Sequence, residues 1–114
     1  MSTRCNVIIK NDASERNSES IILYHHHDGY PEGVGEELKK VLAQGTFSDK
    51  SELSEVLVGD YDGYEVEDGL AGDIEYLYTI SLNQRQLKCQ SINILTDETK
   101  LVFIERFKIG LPYY

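Results

Sequence analysis

Hydrophobic and polar positions follow two different periods along this chain, and the switches between them mark the elements. Residues 4–10 (RCNVIIK) are a short β-branched run and predict a first strand. Residues 11–20 (NDASERNSES) hold no apolar side chain larger than alanine, which predicts a flexible hairpin loop. Residues 20–27 (SIILYHHH) predict a second strand, antiparallel to the first. An extended backbone there puts Ile21, Leu23, His25 and His27 on one face and Ile22, Tyr24 and His26 on the other.

A helical period takes over across 31–44, where Val34, Leu38, Val41 and Leu42 recur at i, i+4, i+7 and i+8. Pro31 suits a first helical position, Asp28 is placed to cap nearby donors, and Gly45 is a stop signal. A shorter helix is expected over 48–58: Asp49 followed by Glu52 resembles a capping box, and Leu53, Val56 and Leu57 form its buried face. Residues 59–73 (GDYDGYEVEDGLAGD) read as a turn-rich acidic loop. The period of two returns over 74–82, with Ile74, Tyr76, Tyr78, Ile80 and Leu82 on one face. Strands at 86–95 and 100–108 follow, joined by short turns into a meander. The expected fold is α+β: an antiparallel sheet of about five strands, in the order β-β-α-α-β-β-β, with two helices on one face.

Composition narrows the function. A length of 114 residues predicts one domain spanning 1–114. The net charge of −9 argues against generic duplex-DNA or RNA binding, since backbone affinity comes from Lys and Arg. It favours basic partners, cations or plain solubility. Eight tyrosines suit partly exposed faces and interfaces, so a homo-oligomer is compatible with the composition. Cys5 and Cys89 lack metal-ligand spacing and are expected to pack as small hydrophobes. No basic region followed by an apolar one opens the chain, and no apolar run approaches ~18 residues. The expected location is the cytoplasm, with no membrane partner.

All three histidines fall in YHHHDGYPEGVGEEL, a strand end, a turn and a helix start. The candidate ligand-binding residues are Tyr24, His25, His26, His27, Asp28, Gly29, Tyr30 and Gly33. Strand alternation lets at most two of the histidines chelate one ion, and no HExxH spacing occurs, so no metal is assigned. The glycine-rich turn lacks GxGxxG and GxxxxGK[ST] patterns, and Glu32, Glu36 and Glu37 would repel phosphate, so no cofactor is assigned. It reads better as a tight turn needing glycine dihedrals. An EF-hand register from Asp60 fails, with Glu65 at the sixth position and Ala71 at the twelfth. Cys5 could face a histidine across the first two strands, which makes a nucleophile only if the thiol is exposed and acidified. DGY occurs at 28–30 and at 62–64; a match that short is within chance, and no repeat is assigned.

The run RCNVIIK followed by YHHHDGYPEGVGEELKK resembles a family of small uncharacterised bacterial and phage or prophage proteins carrying an H-x-D-G-Y-P-E-G block. The resemblance covers roughly the first 40 residues, and no functional residues carry over from it. It implies an accessory protein of phage or mobile-element type. The leading expectation is a non-enzymatic binding module that recognises a protein or small ligand through residues 24–35. One alternative is a metal- or histidine-dependent hydrolase acting on a phosphodiester or nucleotide. Another is an acidic inhibitor of a host nucleic-acid-binding defence protein.

Overall fold

Extended backbone forms wherever β-branched and aromatic residues alternate with polar ones, and the result is one six-stranded sheet. The computed structural model describes residues 3–45 and 47–107. Its strands are β1 (Cys5–Lys10), β2 (Ile21–His25), β3 (Tyr64–Glu67), β4 (Tyr76–Ser81), β5 (Gln86–Ile92) and β6 (Thr99–Arg106). The helices are α1 (Glu36–Gln44) and α2 (Lys50–Asp60). The spatial strand order is β3-β2-β1-β4-β5-β6.

The β1–β2 hairpin and the β4–β5–β6 meander are antiparallel, as the periodicity predicts. The expectation of about five antiparallel strands needs two corrections. A sixth strand, β3, lies inside the expected acidic loop and pairs with β2. The central pair β1 and β4 is parallel, so the sheet is mixed. The chain leaves β3 at one edge, crosses beneath β2 and β1, and returns on the far side of β1 in the same direction.

Cys5, Val7, Ile9, Leu23, Tyr78, Ile80, Leu87 and Cys89 share one face of the sheet and are buried. Leu38, Val41 and Leu42 of α1 and Leu53 and Leu57 of α2 join them in a single core. Asp49 caps α2, accepting from the Glu52 amide at 3.0 Å, while Glu52 accepts from the Ser48 amide at 2.7 Å. The opposite face is covered only in part, near β1 and β2. Ile8 and Ile22 are buried there, and Asn6, fully buried, donates to the Leu23 carbonyl at 2.9 Å and accepts from the Ala71 amide at 2.8 Å. Ala71 is thereby tied to the sheet's back, while residues 68–70, 72 and 73 around it stay exposed.

Element boundaries and one loop also differ from the sequence pattern. The second strand stops at His25 rather than His27, because Asp28 takes a left-handed φ of 54° and turns the chain. The first helical turn, Pro31–Gly35, is a wider π-type turn, and regular α-helix starts at Glu36. The polar loop 11–20 is tied down: Lys10 Nζ donates to the Glu15 carbonyl, Lys50 Nζ pairs with Glu15 at 3.0 Å, and Asp12 accepts from Gln84 at 2.9 Å. Part of the expected last strand, Lys108, lies outside the described residues.

Candidate functional site

The histidine triplet sits where β2 ends and the chain turns toward α1. Alternation does what the pattern predicts and splits the rings between two sides. Tyr24 and His26 lie on the back of the sheet, edge to face at 5.2 Å; Tyr24 donates to Asp73 and His26 approaches Glu65 at 3.4 Å. His25 and His27 lie on the helix side, with ring centroids 4.7 Å apart. Of the candidate residues, the structure gathers His25, His27, Asp28 and Gly33 around one cavity of about 370 Å³. Val34, Glu37, Asp60, Tyr61 and Asp62 complete its lining.

His25 is the floor of this site and is only 3% exposed. Its Nδ1 contacts the His27 carbonyl at 2.5 Å and its Nε2 contacts the Asp62 carbonyl at 3.0 Å. A neutral imidazole carries one N–H and can satisfy one of these carbonyls; only the doubly protonated ring satisfies both. Both ring nitrogens therefore face backbone carbonyls of the fold. Tyr64 packs against His25 at 4.5 Å between centroids and donates to Glu37 Oε1 at 2.7 Å. Burial, then the Glu37 carboxylate, pushes the Tyr64 hydroxyl well above the usual phenol range, so it stays a donor.

The glycines of the turn make room rather than supply unusual dihedrals. A Cβ at Gly33 would sit 2.2 Å from the Asp28 carbonyl oxygen, and one at Gly29 would meet Cys5 and the Thr3 carbonyl at 3.0 Å. Tyr78 fixes the turn from below, donating from its hydroxyl to the Gly29 carbonyl at 2.7 Å. The amides of Gly33 and Val34 are already bonded to the Tyr30 and Asp28 carbonyls at 2.9 and 2.8 Å. Those donors are not free to cradle a phosphate. Tyr30 is exposed and is not among the lining residues, but it donates to Asp28 Oδ1 at 3.1 Å.

Four acidic residues line the cavity, Asp28, Glu37, Asp60 and Asp62, with no Lys or Arg among its lining residues. An adjoining hollow shares Gly33, Glu37 and Tyr61 and adds Glu32, Glu36 and Lys40. Among the described residues, no three His, Cys, Asp or Glu side chains are grouped so as to hold a metal ion. Cys5 does lie directly opposite His25 on the β1–β2 ladder. Yet it is fully buried, and burial, reinforced by Cys89, pushes its thiol up to about 12. That is the opposite of what a nucleophile needs.

Residues 60–64 are the part of the site that the local pattern conceals. They supply Asp60, Tyr61 and Asp62 to the lining and Tyr64 to the His25 stack. Gly63 has a φ of 94°, and a Cβ there would lie 2.6 Å from His25 Nε2. The second DGY segment thus wraps the ring of the histidine just upstream of the first. No protein-family model matches the chain, and no curated protein or solved structure matches it.

Proposed function

We propose that this protein is a small non-enzymatic binding module whose His25/His27 cavity receives a cationic group, either a lysine or arginine side chain of a protein partner or a small organic amine. One observation carries the reading: a cavity of about 370 Å³ with four acidic residues in its wall and no cationic lysine or arginine to neutralise them. A cation entering it gains charge-assisted hydrogen bonds from Asp28 and Asp62, and the Tyr61 ring offers a face for an ammonium or guanidinium. The chemistry argues for binding rather than turnover. His25 has both nitrogens on carbonyls, and the Cys5 thiol is buried and held protonated. The phage or mobile-element setting implied by the DGYPEG resemblance belongs to the same proposal.

The test is an NMR titration of the full chain with lysine- and arginine-containing peptides and with spermidine. Shifts should concentrate on His27, Asp28, Glu37, Tyr61 and Asp62. Asp28→Asn combined with Asp62→Asn should weaken binding by about tenfold or more, a loss of ~1.4 kcal/mol. Cationic probes that leave these resonances unmoved while shifting others would overturn the reading.

A further inference from the structure

The two edges of the sheet are built differently. At one end β3 is short, four residues long, and alternates with Glu65 and Glu67, so like charges guard that edge. At the other end β6 runs for eight residues, Thr99–Arg106, and exposes Leu101, Val102 and Ile104 at 58, 42 and 47%. Among the described residues, no strand pairs with its outer edge. A long edge carrying exposed aliphatic side chains is a template for strand addition.

We propose that β6 pairs antiparallel with β6 of a second copy of this chain, joining two sheets into one across a two-fold axis between Val102 and Phe103. The sequence of the strand is complementary to itself in that register. Lys100 then stands opposite Glu105, and Leu101 opposite Ile104, each pair occurring twice by symmetry. Antiparallel partners must also share a face of the sheet, and these do. Lys100 is opposite Ser91 and Glu105 opposite Leu87 on β5, both on the helix side. Leu101 is opposite Gln90 and Ile104 opposite Lys88, both on the back. The bulge at Val102 is what brings this about. Without the extra residue, positions 100 and 105 would fall on opposite faces and the charges could not meet.

Glu105 is already positioned for the contact. Lys39 of α1 holds it at 3.1 Å and lies 4.5 Å over the Phe103 ring, so the carboxylate is fixed beside the edge. The pairing is isologous and closes at two copies, because the remaining β3 edges carry glutamates and repel each other.

Sedimentation equilibrium of the full chain tests this. The wild type should show a concentration-dependent shift to the mass of two chains. Lys100→Glu alone and Glu105→Lys alone should each raise the dimer dissociation constant by about tenfold or more, because each faces like charges twice. An equimolar mixture of the two variants should recover the dimer, since both cross-strand pairs become complementary again. Leu101→Lys is the second variant in case Glu105→Lys fails to fold by circular dichroism; it too should be monomeric. A wild type that stays monomeric at every concentration overturns the proposal. So does a Lys100→Glu variant that dimerises as the wild type does, or a mixture of folded variants that remains monomeric.

Discussion

Cys5 and Cys89 are placed by the same rule that buries any small apolar residue, and their chemistry follows from that placement. They lie on β1 and β5 with β4 between them, about two strand spacings or ~10 Å apart, beyond the reach of a disulfide. Burial raises both thiols, Cys5 to about 12 and Cys89 to about 11. The unfolded chain releases those protons near pH ~8.5, so the folded state holds protons that the unfolded state has given up. The resulting stability is complete below that pH and falls as pH rises toward the folded values. Urea midpoints should therefore drop steadily above pH ~9, and replacing both cysteines by Ala should flatten that alkaline slope. Iodoacetamide at pH ~8 should leave both thiols unmodified in the folded chain while the urea-unfolded chain reacts fully. Rapid native labelling, seen by mass spectrometry, would contradict the burial.

Helix α1 shows how well a period reports an element when one of its faces is buried. Leu38, Val41 and Leu42 all lie in the core, and Leu38→Ala should cost ~2–5 kcal/mol in denaturant unfolding. A cost below ~0.5 kcal/mol would mean that the stripe does not pack on the sheet. The same reasoning reads β4 correctly, since Tyr78 and Ile80 alternate into the core. It reads β3 poorly because only Tyr64 of its four residues is buried, and Glu65, Val66 and Glu67 look like an acidic loop. Period two is present in YEVE, but the edge needs glutamates more than a core needs valine. The parallel β1–β4 pair is not encoded locally at all, because alternation specifies the face of a strand and not its neighbour. The site divides along the same line. That His25 and His27 share a side follows from strand geometry. Asp62, Gly63 and Tyr64 reach His25 only because β3 pairs with β2, placing Tyr64 opposite His25.

At the scale of the whole molecule, charge decides what can approach. The chain carries 20 acidic against 11 basic residues, and its candidate cavity lies on the acidic side of that balance. Several of the cations are already committed: Arg4 to Asp73, Lys39 to Glu105, and Lys50 to Glu15. A phosphate backbone would meet a repelling field with little released counterion to offset it. Anisotropy measurements with random duplex and single-stranded probes should show no binding at micromolar protein in about 0.15 M salt. Tight, salt-sensitive binding to either probe would overturn this. Cationic peptides should behave in the opposite way. The same field steers them toward the cavity, so their association rate should fall as salt rises while dissociation changes less. A rate indifferent to ionic strength would show that the carboxylates around His25 and His27 do not guide the encounter.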